Sequence, residues 1–219
     1  MSGINTFLKK LEKKMKLKMS TFFLSVIEEV NKELESRGII FKPKYYISNE
    51  WGCPDKVPII GVPYPFCYPI FKTFEDDGVI VQKEPILKIV RHETGHAINY
   101  AYKLYEREDW KLVFGDFNKP YNLKEAAKHI NPFSKDFVVN LPDYSYCYAQ
   151  LHPDESWSET FAVWLEKKRE QWKSIYKDRP AIHKLEFVGE LIEKIKDKPP
   201  IITKGKLHKP YTSLIIKGG

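Results

Sequence analysis

The sequence predicts an α+β domain. Short strand-like stretches interrupted by proline gather ahead of residue 83, and long helical patterns follow; separate runs of strands and helices signal that class. At 219 residues the chain can bury one sizeable core. Its 42% apolar and 14% aromatic content is too high for disorder.

Residues 1–19 read as a basic, weakly amphipathic helix or arm carrying Lys9, Lys10, Lys13, Lys14, Lys16 and Lys18. Ser20 is placed to cap a helix in which Phe23, Ile27, Val30 and Leu34 mark one face and Gly38 ends the run. Residues 39–48 and 57–62 read as strands, and 69–74 with 79–82 as two more around the Asp76-Asp77-Gly78 turn. Their prolines suit edge positions or irregular pairing. A helix over about 85–105 comes next: Leu87, Val90, Thr94, Ala97, Ile98 and Ala101 recur at helical spacing, and Pro85 suits its first position. Residues 106–147 are loop-rich, with a short helix over 123–129. A second long helix runs over about 153–172, with Pro153 near its start and acidic residues in its first turn, as the helix dipole favours. A third spans about 181–196, and Pro199-Pro200 ends it. Residues 20–198 thus form the main domain, and 199–219 an extended tail or strand pair.

The segment His92-Glu93-Thr94-Gly95-His96 carries the strongest chemical signal. Two histidines four apart on a helix stand one above the other. Both imidazoles can then reach one ion at the roughly 2.0–2.1 Å that zinc prefers for nitrogen. Glu93 leaves the helix about a quarter-turn from His92, so it can reach a water on that ion more easily than the ion itself. That is the layout of a metal-assisted hydrolase with Glu93 as general base. Gly95 costs roughly 1 kcal/mol mid-helix relative to alanine, and its small size lets another element approach closely.

A zinc hydrolase needs a third protein ligand and an open fourth position. Downstream, Glu155 and Glu159 are four apart and share a helix face, while Trp157, Phe161, Trp164 and Leu165 cluster on another. Such a helix can pack in a core and aim acid at a metal. Glu155 is the expected third ligand. Glu159 is the carboxylate expected to hold a ligand histidine through its other ring nitrogen. His152 could supply a fourth ligand, which would make the site structural instead.

These segments resemble the gluzincin metallopeptidases, in which a glutamate from a second helix completes the site begun by two histidines. The closer likeness is to a little-characterised family of zinc-binding metallopeptidases. It is carried by the run 91–98, by Tyr148-Ala149-Gln150-Leu151-His152-Pro153-Asp154-Glu155, and by 161–165, with Glu50-Trp51, the run 58–63 and Phe114-Gly115 also similar. The likeness covers about residues 46–166. The second motif is similar too to the catalytic domain of anthrax lethal factor, where a tyrosine seven positions before the ligand glutamate assists catalysis; Tyr148 holds that place here. Between the glutamates stands Ser156-Trp157-Ser158, where the resemblance expects an acidic, an aromatic and an alanine residue.

The resemblance implies a zincin-like fold, a small mixed sheet, and a peptide or protein substrate. It also implies an edge strand that borders the cleft and pairs with the extended substrate. Val57–Val62 or Val79–Gln82 could supply that strand. Tyr148 would donate to the oxyanion, although Tyr144, Tyr146 and Tyr148 alternate and packing in a strand is the other reading.

The net charge of +7 is uneven, with Lys196, Lys198, Lys204, Lys206, Lys209 and Lys217 loading the second end. Such runs suit nucleic acid or an anionic surface. No RNA-binding or helix-turn-helix signature accompanies them, so solvated faces are expected. No apolar run approaches the roughly 18 residues of a membrane span, and the start of the chain lacks a signal-peptide layout; a cytoplasmic protein is expected. Cys53, Cys67 and Cys147 are an odd number at wide spacing, which favours buried or reduced thiols over a Cys53–Cys67 disulfide. Two functions fit. One is a zinc-dependent metallopeptidase. The other is a catalytically silent zinc-bearing binding or regulatory protein. Glu93 favours the first, because a purely structural site has no use for a base beside an open position.

Overall fold

The computed structural model describes residues 17–121, 131, 134–141, 147–207 and 215–216, the last pair by backbone alone. Most of the expected N-terminal arm, the expected helix over 123–129, Tyr144, Tyr146 and most of the C-terminal tail lie outside the described residues. The first element is β1 (Lys18–Met19). Ser20 then caps α1 (Thr21–Ser36), its Oγ accepting the Phe23 amide at 3.1 Å. Phe23, Val26, Val30 and Leu34 face the core, and Ile27 stands at the margin of that face. Gly38 follows the helix at a φ of +73°, a conformation open to glycine without strain.

β2 (Lys44–Ser48) and β3 (Ile59–Pro63) pair in parallel, with Lys44 opposite Ile59. β4 (Cys67–Tyr68) pairs antiparallel with β1, and β5 (Ile215–Ile216) pairs antiparallel with β2. The larger sheet therefore runs β3-β2-β5.

Residues 69–74 and 79–82 do not form strands. Ile70–Asp76 is a helix, α2, and 79–82 carry no regular element. The alternation that suggests a strand also places Phe71 and Phe74 three apart, on one helical face. Phe71 is buried there and stacks on Phe22, with ring centroids 5.0 Å apart. That packing decides between two periods which a run this short can satisfy equally.

α3 (Lys83–Ala101) is the histidine helix. It stops before 105, where Lys103 turns to a φ of +53° and a 3-10 turn covers Leu104–Glu106. α4 (Glu108–Phe114) leads to Gly115. α5 (Pro153–Glu166) is the glutamate helix. It ends short of 172, because Lys167 is extended and α6 (Arg169–Tyr176) starts anew. The Arg37 guanidinium satisfies the carbonyls at that end, donating to Trp164 O at 2.9 Å and Lys167 O at 2.8 Å, and it stacks on the Trp164 ring. α7 (Ile182–Ile195) closes the core. The described residues thus hold seven helices and small sheets, a mixed α+β architecture.

The pair α3 and α5 makes the most extensive contact in the fold. Gly95 permits it: a Cβ there would stand 2.8 Å from Ser158 Cα. Trp157 Nε1 donates to Gly95 O at 2.7 Å and locks the register of the two helices. α1 braces α3 from another side through Arg91, which is buried and forms paired bonds to Glu33 at 2.9 and 2.7 Å. The strap after α7 crosses the end of α3, where the Ile201 and Ile202 amides both donate to Ala101 O. Among the described residues, no helix is long and apolar enough to cross a membrane.

Candidate metal centre

α3 presents His92 and His96 one turn apart, and α5 presents Glu155 against them. All three are buried. His92 Nε2 lies 3.1 Å from His96 Nε2. Glu155 Oε2 lies 3.0 Å from His92 Nε2 and 3.4 Å from His96 Nε2. Ligand atoms about 2.0–2.1 Å from a tetrahedral ion stand about 3.3 Å from one another. The triangle has that size.

The proton inventory makes the same point. His92 Nδ1 donates to Glu159 Oε1 at 2.8 Å, and His96 Nδ1 to Asp154 Oδ2 at 2.7 Å. Glu159 is fully buried, and its other oxygen accepts the Asn140 and Leu141 amides at 2.7 and 3.1 Å. Asp154 also accepts Tyr100 Oη and Asn99 Nδ2, each at 2.6 Å. Both carboxylates are thus committed as acceptors, which leaves each histidine with its Nε2 lone pair facing inward. Two such lone pairs and a carboxylate oxygen converge on one point. Glu155 Oε2 and the nearby Glu93 Oε2 have no hydrogen-bond partner among the described residues. With both imidazoles neutral, these would be three buried acceptors in mutual contact, an arrangement that calls for a cation between them, either a proton on an imidazole or a metal ion. The donor set therefore fits a metal ion.

Electrostatics agree. Burial pushes the His92 imidazolium down, yet Glu155 and Glu159 outweigh it and raise its pKa to about 10. His96 is raised well above its ordinary value, Asp154 and Glu155 again overcoming burial. Burial would raise the Glu155 carboxyl, but the two histidines hold it well below the usual carboxylate range. The centre demands positive charge.

Glu93 stands beside the triangle on α3, and burial pushes its carboxyl upward against the pull of His96 and His92. The site opens on a cavity of about 530 Å³, whose wall includes Trp51, Lys56, Phe117, Tyr121 and Tyr148. Tyr148 sits in a 3-10 turn rather than a strand, with its ring centroid 5.6 Å from that of His92.

His152 turns away from the triangle. Its Nδ1 accepts the Asp154 amide at 3.1 Å and caps α5, and its Nε2 donates to Lys119 O at 3.0 Å. Both nitrogens are occupied, so the expectation of a fourth ligand there does not hold. The cysteines are all free, and Cys53 Sγ lies 3.6 Å from Glu93 O, so no Cys53–Cys67 disulfide forms. Of the two proposed edge strands, Val79–Gln82 is not a strand. β3 is at the sheet edge, but its Gly61 amide donates to Gly52 O at 2.8 Å, so residues around Gly52 cover that edge and border the cavity instead.

Two residues of the site escape sequence reasoning. Asp154 is an acid in a helix's first turn, a place where the dipole alone explains it; its adjacency to Glu155 was the available signal. Tyr121, whose hydroxyl donates to Glu155 Oε1 at 2.7 Å, lies in a loop with no periodicity and gives no signal at all. Compared with known proteins, the chain matches no family model, no curated protein and no solved structure.

Proposed function

We propose that the protein is a zinc-dependent metallopeptidase on a zincin-like scaffold. The observation that carries this reading is the convergence of His92 Nε2, His96 Nε2 and Glu155 Oε2 beside Glu93 Oε2, which has no hydrogen-bond partner among the described residues, on the wall of an open cavity. Two imidazoles and one carboxylate at tetrahedral spacing suit zinc. Zinc held there would supply Lewis-acid polarisation of a carbonyl and a lowered pKa for water.

The chain's own residues supply the rest. Glu93, its proton affinity raised by burial, takes a proton from the attacking water and passes it to the departing amine. Tyr148, against His92 on the cavity wall, donates a hydrogen bond to the oxygen where negative charge develops. Glu159 and Asp154 hold the histidines in the tautomer that turns Nε2 inward. A cavity of about 530 Å³ has room for a few side chains of an extended substrate. Trp51 and Phe117 offer it apolar contact, and Asp55 and Lys56 offer charge.

The silent binding protein is the weaker reading. A structural zinc site is closed by four protein ligands, whereas His152 is committed elsewhere and the triangle faces a cavity. The deciding experiment loads the protein with zinc and screens a peptide library. Cleavage is expected, and Glu93→Gln should reduce it by roughly 10²–10⁴-fold while zinc is retained. Unchanged cleavage in Glu93→Gln would refute the base, and no cleavage of any peptide by zinc-replete protein would refute the enzyme.

A further inference from the structure

We propose that Tyr121 is a positioning residue that holds Glu155 to one-oxygen coordination and ties the loop on one cavity wall to the metal centre. The inference rests on the metal site of the proposed function, not on peptide cleavage.

The two oxygens of Glu155 have separate surroundings. Oε2 faces both Nε2 atoms. Oε1 accepts the Tyr121 hydroxyl at 2.7 Å. A phenol donating to an ionised carboxylate makes a strong, charge-assisted bond, and it occupies the oxygen that would otherwise swing toward the ion as a second ligand. With Oε1 engaged, the protein would offer a bound ion three ligand atoms rather than four, leaving room for a further ligand from the cavity.

The aim of that hydroxyl is built from neighbouring contacts. The Tyr121 ring stacks on His152, with centroids 5.2 Å apart and planes 26° apart. His152 is fixed at both nitrogens, by the Asp154 amide and by Lys119 O. The loop itself folds as a turn: Asp116 Oδ1 accepts the Asn118 amide at 2.9 Å, and Asp116 O accepts the Lys119 amide. Gly115, at a φ of +107°, lets this loop start against Pro153, the first residue of α5. Loop and ligand helix are therefore pinned together at the position from which Glu155 departs. Yet the Tyr121 residue is 44% exposed, so its ring contributes little to the core. A surface ring whose hydroxyl reaches a buried ligand serves the ligand more than the packing.

The test uses cobalt(II), which replaces zinc and reports coordination by its visible absorption. Wild type, Tyr121→Phe and the control Tyr64→Phe, at a tyrosine outside the cavity wall, are titrated as full-length metal-free proteins. Tyr121→Phe keeps the stack on His152 and removes only the hydroxyl. Wild type and control should give the intense absorption of four-coordinate cobalt. Tyr121→Phe should give a weaker, five-coordinate band, as Oε1 becomes a ligand, and should bind cobalt with an affinity changed by roughly 10-fold or more. An unchanged band in Tyr121→Phe overturns the proposal, whether or not affinity falls, because affinity loss alone reports general loosening. Failure of wild type to bind cobalt at all would overturn the metal centre itself, a result distinct from the first.

Discussion

The candidate site has two halves of different build. The helix half comprises His92, Glu93 and His96 on α3 with Asp154, Glu155 and Glu159 on α5, all buried. Its outer polar atoms, His92 Nδ1, His96 Nδ1 and the Asp154 and Glu159 oxygens, are hydrogen-bonded, its inward-facing ones are not, and a glycine contact fixes the spacing of the helices. The loop half comprises the stretch from Trp51 to Lys56, the 117–121 loop and Tyr148, which supply most of the other cavity wall and are mostly part-exposed or exposed. The difference teaches a division of labour. Packed helices bring together the three atoms that could hold a metal ion, while loops line the cavity beside them and can vary without unfolding the core.

The sharpest way to probe the loop half is Tyr148→Phe. If its hydroxyl stabilises the oxyanion, turnover should fall by about 10²–10³-fold while zinc content and melting temperature hold. A small effect would return Tyr148 to packing and shift the chemistry onto the helix half alone.

Next come the two carboxylates behind the histidines. Glu159→Ala and Asp154→Ala should each weaken zinc binding by roughly 10–100-fold in a competition titration, without abolishing the site. Asp154→Ala also strips a partner from Tyr100 and Asn99, so its melting temperature should drop as well. A complete loss of zinc in Glu159→Ala, with retention in Glu155→Ala, would mean that the two glutamates exchange roles.

The smallest effects contrast the halves in stability alone. Alanine is the better helix former, by roughly 1 kcal/mol. Gly95→Ala should nevertheless destabilise by about 1–3 kcal/mol in denaturant melts, because its Cβ meets Ser158 backbone across the helix pair. Asn118→Ala, in the exposed loop, should stay within about 0.5 kcal/mol. Equal values for the two would erase the distinction between a rigid half and a tolerant one.

The same division decides what could be read from sequence. α3 and α5 announce themselves through apolar periodicity, and the spacing of four between His92 and His96 and between Glu155 and Glu159 is itself a helical statement. Ser20 and Gly38 mark the ends of α1 by local chemistry that needs no tertiary partner. Where the outcome depends on packing, the sequence misleads. Residues 70–76 fit a strand as well as a helix until Phe71 finds Phe22. The break at Lys167 is hidden because Trp164, Leu165 and Trp172 continue an apolar pattern while Arg37, from a remote helix, caps the end. Tyr121 is 34 residues from Glu155 along the chain, and only the folded loop brings its hydroxyl to the carboxylate.

The central claim is that His92, His96 and Glu155 hold one zinc ion. Elemental analysis of purified wild type, His92→Ala and Glu155→Ala tests it most directly, with circular dichroism on each to show that the fold persists. About one zinc per chain in wild type and near-complete loss in both variants is the predicted result. Full zinc occupancy in both variants would contradict the account.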